Sequence, residues 1–225
     1  MPERWDSVRR VTELDAEKRA AAEAAALLVE DGMRVGLGTG STVAHLLPAL
    51  ARRGLTLRCV STSVATEDQA RALGLAVEPF ETLDELDIAI DGADQVTPDG
   101  WLVKGGGGAH TREKIVAAAA HRFVVIADSS KAVAAIRSPI PVELLTFGLP
   151  STLRSIAPTE IRAGRPPSPD GGVIADYRGG VPDPAKVAAR LSATPGVVDH
   201  GLFPASMVSD VLIARSADVE HRTIG

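Results

Sequence analysis

Segments with a helical spacing of apolar residues recur along the first half of the chain. Helices are predicted over residues 15–32, 41–54, 64–74 and 111–121. The first consists of strong helix formers and stops at Gly32, a typical C-terminal glycine. The second repeats apolar side chains at i, i+3, i+4 and i+7 behind Ser41 or Thr42 as the cap, and Pro48 inside it predicts a kink.

Short apolar runs lie between these helices and have the length of buried strands. Strands are predicted over residues 33–38, 55–62, 75–80, 86–94 and 122–128. Strands that alternate with helices of this length indicate an α/β fold, in which a parallel sheet is covered by helices on both faces. Ligands of such folds bind at the carboxyl ends of the strands.

The periodicity changes in the second half of the chain, where prolines become frequent. We therefore expect residues 137–208 to form a second, smaller α+β domain with a helix over 183–196. Residues 208–216, VSDVLIARS, predict a strand that returns to the first sheet. The larger catalytic domain would then comprise residues 1–136 together with 209–225.

The composition narrows the class of protein. Lys and Arg number 24 against 29 Asp and Glu, so the net charge of -5 gives no reason to expect a nucleic-acid partner. No apolar run approaches about 20 residues, and the first ten residues lack the apolar region of a signal peptide. Cys59 is the only cysteine, which excludes intrachain disulfides, and its apolar surroundings predict a buried strand residue. We expect a soluble cytoplasmic protein without a membrane partner.

The first polar motif, GLGTGST at residues 36–42, follows a predicted strand and opens a predicted helix. Its glycines allow close backbone approach, and the amides of a helix start would bind a phosphate together with the hydroxyls of Ser41 and Thr42. The spacing matches neither the dinucleotide fingerprint GxGxxG nor a nucleotide P-loop. The alternative is a glycine-rich turn with a serine cap.

The second motif, IDGADQ at residues 90–95, ends a predicted buried strand. A tight turn there would direct the carboxylates of Asp91 and Asp94 into one cleft, where they would bond sugar hydroxyls, hold a metal or perturb each other's pKa. The alternative is simple turn formation, for which aspartate is common. A metal is not expected, because the five histidines are scattered and none has ligand spacing to another.

The third motif, KGGGGAHTREK at residues 104–114, joins four glycines to a predicted helix start. Consecutive glycines leave backbone amides free to face a ligand, and Lys104 adds a cation beside them. Glu113 in the first helical turn is a candidate proton acceptor, although the helix dipole also favours glutamate there. A fourth motif, IADSSK, places Lys131 after a strand, either in the same cleft or as an ordinary surface lysine.

Together GTGST, DGAD, KGGGG with TREK, and ADSSK, in this order and at predicted strand ends, resemble the type A ribose-5-phosphate isomerases. PVEL at residues 141–144 and PGVVDHGLF at 195–203 extend the resemblance over nearly the whole chain. It implies a Rossmann-like sheet with a smaller domain inserted before the last strand, a homodimer or homotetramer, and no metal or organic cofactor. The implied substrates are the sugar phosphates D-ribose 5-phosphate and D-ribulose 5-phosphate, interconverted in the non-oxidative pentose phosphate pathway.

The resemblance also implies a role for each matching residue. Glu113 would be the catalytic proton acceptor. The other catalytic residues would be Asp91, Asp94 and Lys104. The substrate-binding residues would be Thr39, Gly40, Ser41, Thr42, Asp91, Gly92, Ala93, Asp94, Lys104, Gly105, Gly106, Gly107 and Lys131. Among these, the hydroxyls at 39–42 would help to hold the phosphate, residues 91–94 would contact the sugar, and Lys131 would complete the phosphate end.

The chain departs from the family pattern at a few positions. Gln95 stands where the family commonly has an acid, His110 stands where an apolar residue is usual, and PPSPDGGVIAD follows the usual SDNGN pattern only loosely. Two other functions are compatible with the motifs: a non-catalytic sugar-phosphate sensing module of related fold, and another isomerase or transferase on a related sheet. Sensing proteins carry a separate DNA-binding segment, for which the residues before the first predicted helix are too few.

Overall fold

A computed structural model describes the helices and strands of residues 2–216 and 218–224. The helices are α1 (Pro2–Ala26), α2 (Val43–Ala51), α3 (Val64–Ala72), α4 (His110–Ala118), α5 (Leu149–Ser155) and α6 (Pro184–Ser192). The strands are β1 (Arg34–Leu37), β2 (Arg58–Ser61), β3 (Ile88–Gly92), β4 (Gln95–Val96), β5 (Leu102–Val103), β6 (Phe123–Asp128), β7 (Ile140–Leu144), β8 (Thr159–Ile161), β9 (Val173–Tyr177), β10 (Val197–His200), β11 (Leu202–Phe203), β12 (Asp210–Arg215) and β13 (Asp218–Thr223). Within these residues, no helix combines the length and apolar character that a membrane span requires.

A six-stranded sheet in the order β13-β12-β6-β3-β1-β2 forms the centre of the fold. Its neighbouring strands are parallel except for the edge pair of β12 and β13. On one face α1 and α2 pack around Leu46, Leu50 and Ile126, and on the other α4 contributes Val116 beside Phe123. The predicted α/β class, with helices on both faces of a mostly parallel sheet, is confirmed.

The winding of the central sheet reverses between β1 and β3. β2 lies on one side of β1, whereas β3, β6 and β12 follow in turn on the other side. In an open α/β sheet the connections on the two sides of such a reversal diverge, which leaves a crevice at the carboxyl ends of the strands. The segments 38–42 after β1 and 91–94 at the end of β3 therefore border one crevice.

Two antiparallel sheets accompany the central one. A four-stranded sheet in the order β10-β7-β9-β8 lies within residues 140–200, around a core that includes Ile140 and Val142. A three-stranded sheet in the order β11-β5-β4 joins distant parts of the chain. Directly after β5, the backbone N–H of Lys104 donates to the carbonyl oxygen of Gly201 at 2.8 Å. This pairing sets the direction in which the Lys104 side chain leaves the sheet.

Most predicted elements are present, several of them with shifted bounds, and α1 differs most from its prediction. α1 begins well before the predicted residue 15 and ends at Ala26, where turns at residues 27–28 and 31–32 follow it. α2 continues through Pro48 without a break. The strand predicted over 208–216 is confirmed as β12, which lies parallel to β6.

The prediction of a strand over residues 75–80 is wrong. Val77 makes only one isolated bridge, to Cys59, and a 3-10 turn begins at Phe80. Pro79 has no backbone N–H and therefore interrupts a ladder at this point. Cys59 itself is buried in β2, and desolvation raises the pKa of its thiol to about 12, so it is a packing residue and not a nucleophile.

Candidate active site

A cavity opens at the carboxyl ends of β1 and β3, where the winding of the sheet reverses. Its lining residues are Thr39, Gly40, Ser41, Thr42, Gly92, Ala93, Asp94, Lys104, Gly105, Gly106, Gly107, Glu113 and Lys131. The structure thus brings together every residue proposed for the site from sequence except Asp91, which is buried next to Lys104 and does not line the cavity. Segments distant in the chain converge on one concave surface.

At the cavity floor, a buried lysine lies between two buried carboxylates. Lys104 Nζ is 2.9 Å from Asp91 Oδ2 and 3.4 Å from Glu113 Oε2. It also donates to the carbonyl oxygen of Gly92. The side chains of Lys104, Asp91 and Glu113 are 2%, 4% and 5% exposed. In so dry an environment each charge depends on its partners, because an unpaired buried ion is strongly destabilising.

Burial and neighbouring charges shift the pKa of all three groups. Desolvation raises the pKa of Glu113 above its ordinary value; Lys104 opposes this shift, and the negative charge of Asp91 adds to it. Desolvation likewise raises the pKa of Asp91 against the attraction of Lys104. Burial lowers the pKa of Lys104, but the two carboxylates outweigh it and raise the pKa overall. Lys104 therefore keeps its proton, while Glu113 is a stronger base than an exposed glutamate.

Two backbone amides, one in the loop after β1 and one at the end of β3, hold the Asp91 carboxylate in place. The N–H groups of Thr39 and Gly92 donate to Asp91 Oδ1 at 3.1 Å and 2.7 Å. A Cβ atom at Gly38 would lie 2.0 Å from the same oxygen, so only glycine lets the loop after β1 approach so closely. Asp91 thereby connects the loop after β1 to Lys104 and, through Lys104, to Glu113.

The glycine run contacts Asp94 closely through Gly106. The amide of Gly106 donates to Asp94 Oδ2 at 2.8 Å, and a Cβ atom at this position would lie 2.8 Å from Asp94 Oδ1. On its other side the run receives hydrogen bonds from Arg162 to the carbonyl oxygens of Gly105 and Gly106. A side chain at Gly106 would therefore obstruct this approach.

The loop after β1 and the start of α2 form the other end of the cavity. Thr42 occupies the N-cap position but makes no side-chain capping bond. Across the part of the chain that the structure describes, the amides of Gly40, Ser41 and Thr42 have no hydrogen-bond partner. Unpaired amides at a helix start attract an anion. Lys131, in the short turn after β6, adds a cation to the same cavity wall.

A cluster of hydroxyl groups orients Thr39. Its Oγ1 atom lies 2.7 Å from Thr62 Oγ1 and 2.8 Å from Ser63 Oγ, at the junction of β2 and α3. Sequence reasoning did not single out these partners. The signal that could have found them is the run of small hydroxyl residues, STS, directly after a buried strand.

The two departures near the motifs, Gln95 and His110, lie outside the cavity lining. The Gln95 side chain exchanges two hydrogen bonds with the backbone of Arg137, at 2.7 Å and 2.8 Å. His110 is fully buried against Gly105, and desolvation lowers its pKa to about 4. The imidazole is therefore neutral at pH 7 and acts as a packing group.

The fold and the buried cluster define an α/β enzyme built for proton transfer on a small anionic molecule. Residues 58–218 match the sequence profile of one family, ribose 5-phosphate isomerase A (phosphoriboisomerase A). The ribose-5-phosphate isomerase A of Nitrobacter hamburgensis is 46% identical over 209 residues, which cover 84% of this chain and 90% of that protein. The chain belongs to the ribose 5-phosphate isomerase A family.

Solved structures agree with this assignment. Ribose 5-phosphate isomerase A from Neisseria gonorrhoeae superposes with a TM-score of 0.90 at 30% identity, covering 94% of this chain and 98% of that chain. A D-ribose-5-phosphate isomerase in complex with phospho-erythronic acid superposes with a TM-score of 0.88 at 29% identity, covering 93% and 99%. The chain is therefore an isomerase.

Replacement of Gly38 by alanine tests the close approach at Asp91. We expect Gly38→Ala to lower the free energy of unfolding by about 1–3 kcal/mol, because the new methyl group overlaps a buried carboxylate. Urea denaturation measures this change. Gly180→Ala is the matched control, since a Cβ atom there meets only Pro182 at 3.9 Å. Equal stability of Gly38→Ala and the unchanged protein would contradict the described packing.

Proposed function

We propose that this chain interconverts D-ribose 5-phosphate and D-ribulose 5-phosphate in the non-oxidative pentose phosphate pathway, with Glu113 as the group that moves the proton. The observation that carries this proposal is a buried carboxylate in the cavity wall, 3.4 Å from the Lys104 ammonium group. Membership of the isomerase family supports the choice of substrate. A non-catalytic sensing module is not favoured, because binding alone does not require a carboxylate of raised pKa in the cavity.

The reaction needs a base that first removes a proton and then returns it. An aldose becomes a ketose when the proton on C2, next to the carbonyl, is removed and delivered to C1, while the hydroxyl proton shifts from O2 to O1. Ionised Glu113 accepts the C2 proton and gives it back to C1, so one carboxylate serves both steps. The enediolate between the steps carries negative charge on oxygen, which Lys104 and nearby glycine amides stabilise as preorganised donors.

The two ends of the cavity suit the two ends of the substrate. The phosphate lies at the free amides of Ser41 and Thr42 with Lys131, and Asp94 accepts hydrogen bonds from sugar hydroxyls. Phospho-erythronic acid, with which the related isomerase is in complex, contains a phosphate and a carboxylate, and a carboxylate resembles an enediolate in charge. We propose that it binds this cavity with its carboxylate near Lys104.

We also propose that the protein works in the cytoplasm as a homodimer or homotetramer, without a nucleic-acid or membrane partner. In this proposal residues 137–208 are a smaller domain beside a catalytic domain of 1–136 and 209–225. Exposed apolar side chains after β7 and on the edge strand β10 support assembly: Leu145, Phe147 and Val198, of which Phe147 is 91% exposed. Large exposed apolar groups commonly mark interfaces.

Replacement of Phe147 by aspartate tests the proposed assembly. We expect Phe147→Asp to shift the oligomer toward the monomer, because the interface would have to bury the new charge. Sedimentation velocity at several protein concentrations measures the shift. Leu27→Asp is the control, because Leu27 is also well exposed but lies in the turn that follows α1. A monomeric unchanged protein would contradict the proposal.

Replacement of Glu113 by glutamine removes the base while preserving its shape. We expect Glu113→Gln to lower kcat by about 10²- to 10⁴-fold, because the amide does not accept the proton. The assay supplies ribose 5-phosphate with EDTA present and follows ketopentose formation, and calorimetry tests whether substrate still binds. Glu81→Gln, at an exposed carboxylate, should retain full activity. Activity of Glu113→Gln above a few per cent would refute the assignment.

The dependence of kcat/KM on pH tests the electrostatic description of the site. Only the ionised carboxylate accepts a proton, so activity should fall as the pH decreases through the pKa of Glu113. Because burial raises that pKa, the loss of activity on the acid side of the pH profile should occur at a higher pH than the pKa of an ordinary glutamate, about 4.3. Lys104→Met removes a cation that lowers the pKa of Glu113. In this variant, any residual activity should therefore be lost at a still higher pH. Loss of activity only near pH 4 would contradict this description.

A further inference from the structure

Arg162 connects the four-stranded sheet to the glycine run of the cavity. It follows β8, and its guanidinium group forms a two-bond ion pair with Asp176 on β9, at 3.0 Å and 2.8 Å. Its Nη1 atom donates to the carbonyl oxygen of Gly105 at 2.9 Å and to that of Gly106 at 3.1 Å. The Arg162 and Asp176 side chains are each 14% exposed, so this contact is largely shielded from water.

Peptide geometry carries this contact through to the cavity. In a trans peptide the carbonyl and the following N–H point in opposite directions. The two carbonyls that Arg162 binds share their planes with the N–H groups of Gly106 and Gly107, so these amides point away from the guanidinium. The amide of Gly106 meets Asp94 at 2.8 Å. In residues 2–216 and 218–224 the amide of Gly107 has no hydrogen-bond partner, and Gly107 lines the cavity.

A glycine run needs such a restraint because its peptide groups rotate more freely than those of other residues. Donors stabilise a developing charge well only when they are already oriented before the reaction. Arginine can meet this need because its planar group binds a carboxylate with one side and still has a nitrogen for the carbonyls. Lysine, with a single point of charge, does not hold Asp176 and both carbonyls in one fixed arrangement.

We propose that Arg162 is a positioning residue of the isomerase: anchored by Asp176, it orients two peptide groups so that the amide of Gly106 holds Asp94 and the amide of Gly107 faces the substrate. Arg162 does not line the cavity and acts only through the glycine run. The inference rests on the proposed function, because the orientation of these groups affects turnover only if they act on the sugar or its enediolate.

Arg162→Gln tests the inference against a matched variant of the same hairpin. We expect it to lower kcat by about 10- to 100-fold with a smaller change in KM, because the donors lose their orientation. Binding of phospho-erythronic acid should weaken, whereas binding of inorganic phosphate, which reports the other end of the cavity, should stay unchanged. Arg178→Gln removes the ion pair to Glu160 between β8 and β9 without touching the glycine run, and should retain full activity.

Arg162→Lys keeps the charge beside Asp176 and serves for the same measurements if Arg162→Gln does not fold; it too should lower kcat. The inference is overturned if the variants at position 162 turn over as fast as Arg178→Gln. It is also overturned if binding of phosphate and of phospho-erythronic acid weakens equally, because that pattern means a general distortion of the cavity. Failure of the proposed function itself looks different, since the unchanged protein would then not isomerise ribose 5-phosphate.

Discussion

The attraction between one buried ammonium group and two buried carboxylates is the interaction on which the rest of the site depends. Lys104 could not remain charged in this dry position without Asp91 and Glu113, and the carboxylates could not ionise together without Lys104. The three side chains come from β3, from the segment after β5 and from α4. The central sheet, the three-stranded sheet and a covering helix must therefore pack correctly before the cluster exists, and the cluster in turn sets the basicity of Glu113.

The two ends of the cavity differ in the groups that line them. One end has the unpaired amides of the helix start and Lys131, and the other has Lys104 and Glu113. In the proposed reaction, a substrate held by its phosphate places its C1 and C2 atoms beside Glu113, and orientation of this kind lowers a barrier substantially. A base alone contributes about 10²- to 10⁴-fold, so the anchored phosphate and the oriented donors must supply much of the remaining acceleration.

The four-stranded sheet contributes no residue to the cavity lining, but it supports two parts of the cavity wall. Arg162 binds the glycine run from this sheet. Glu143 on β7 is buried. Its carboxylate accepts hydrogen bonds from Thr111 in the first turn of α4 and from Ser168 in the loop between β8 and β9. Since Glu113 lies in the same turn as Thr111, the four-stranded sheet supports the helix that carries Glu113, the proposed base. The position of the base therefore depends on packing between separate sheets.

The amino-acid sequence by itself determined the α/β class, the return of the last parallel strand and nearly the whole cavity lining, because strand ends, glycine runs and helix starts leave local patterns. Prediction from the sequence failed where contacts between distant residues determine the structure. The apolar residues 75–80 favoured a strand, but Pro79 interrupts its pairing. Arg162 belongs to no sequence motif, so its contact with the glycine run was not predicted. Only the tertiary structure decided that Asp91 lies beneath the cavity and that Gln95 bonds to backbone. It also decided the basicity of Glu113, because desolvation arises from packing and not from sequence neighbours.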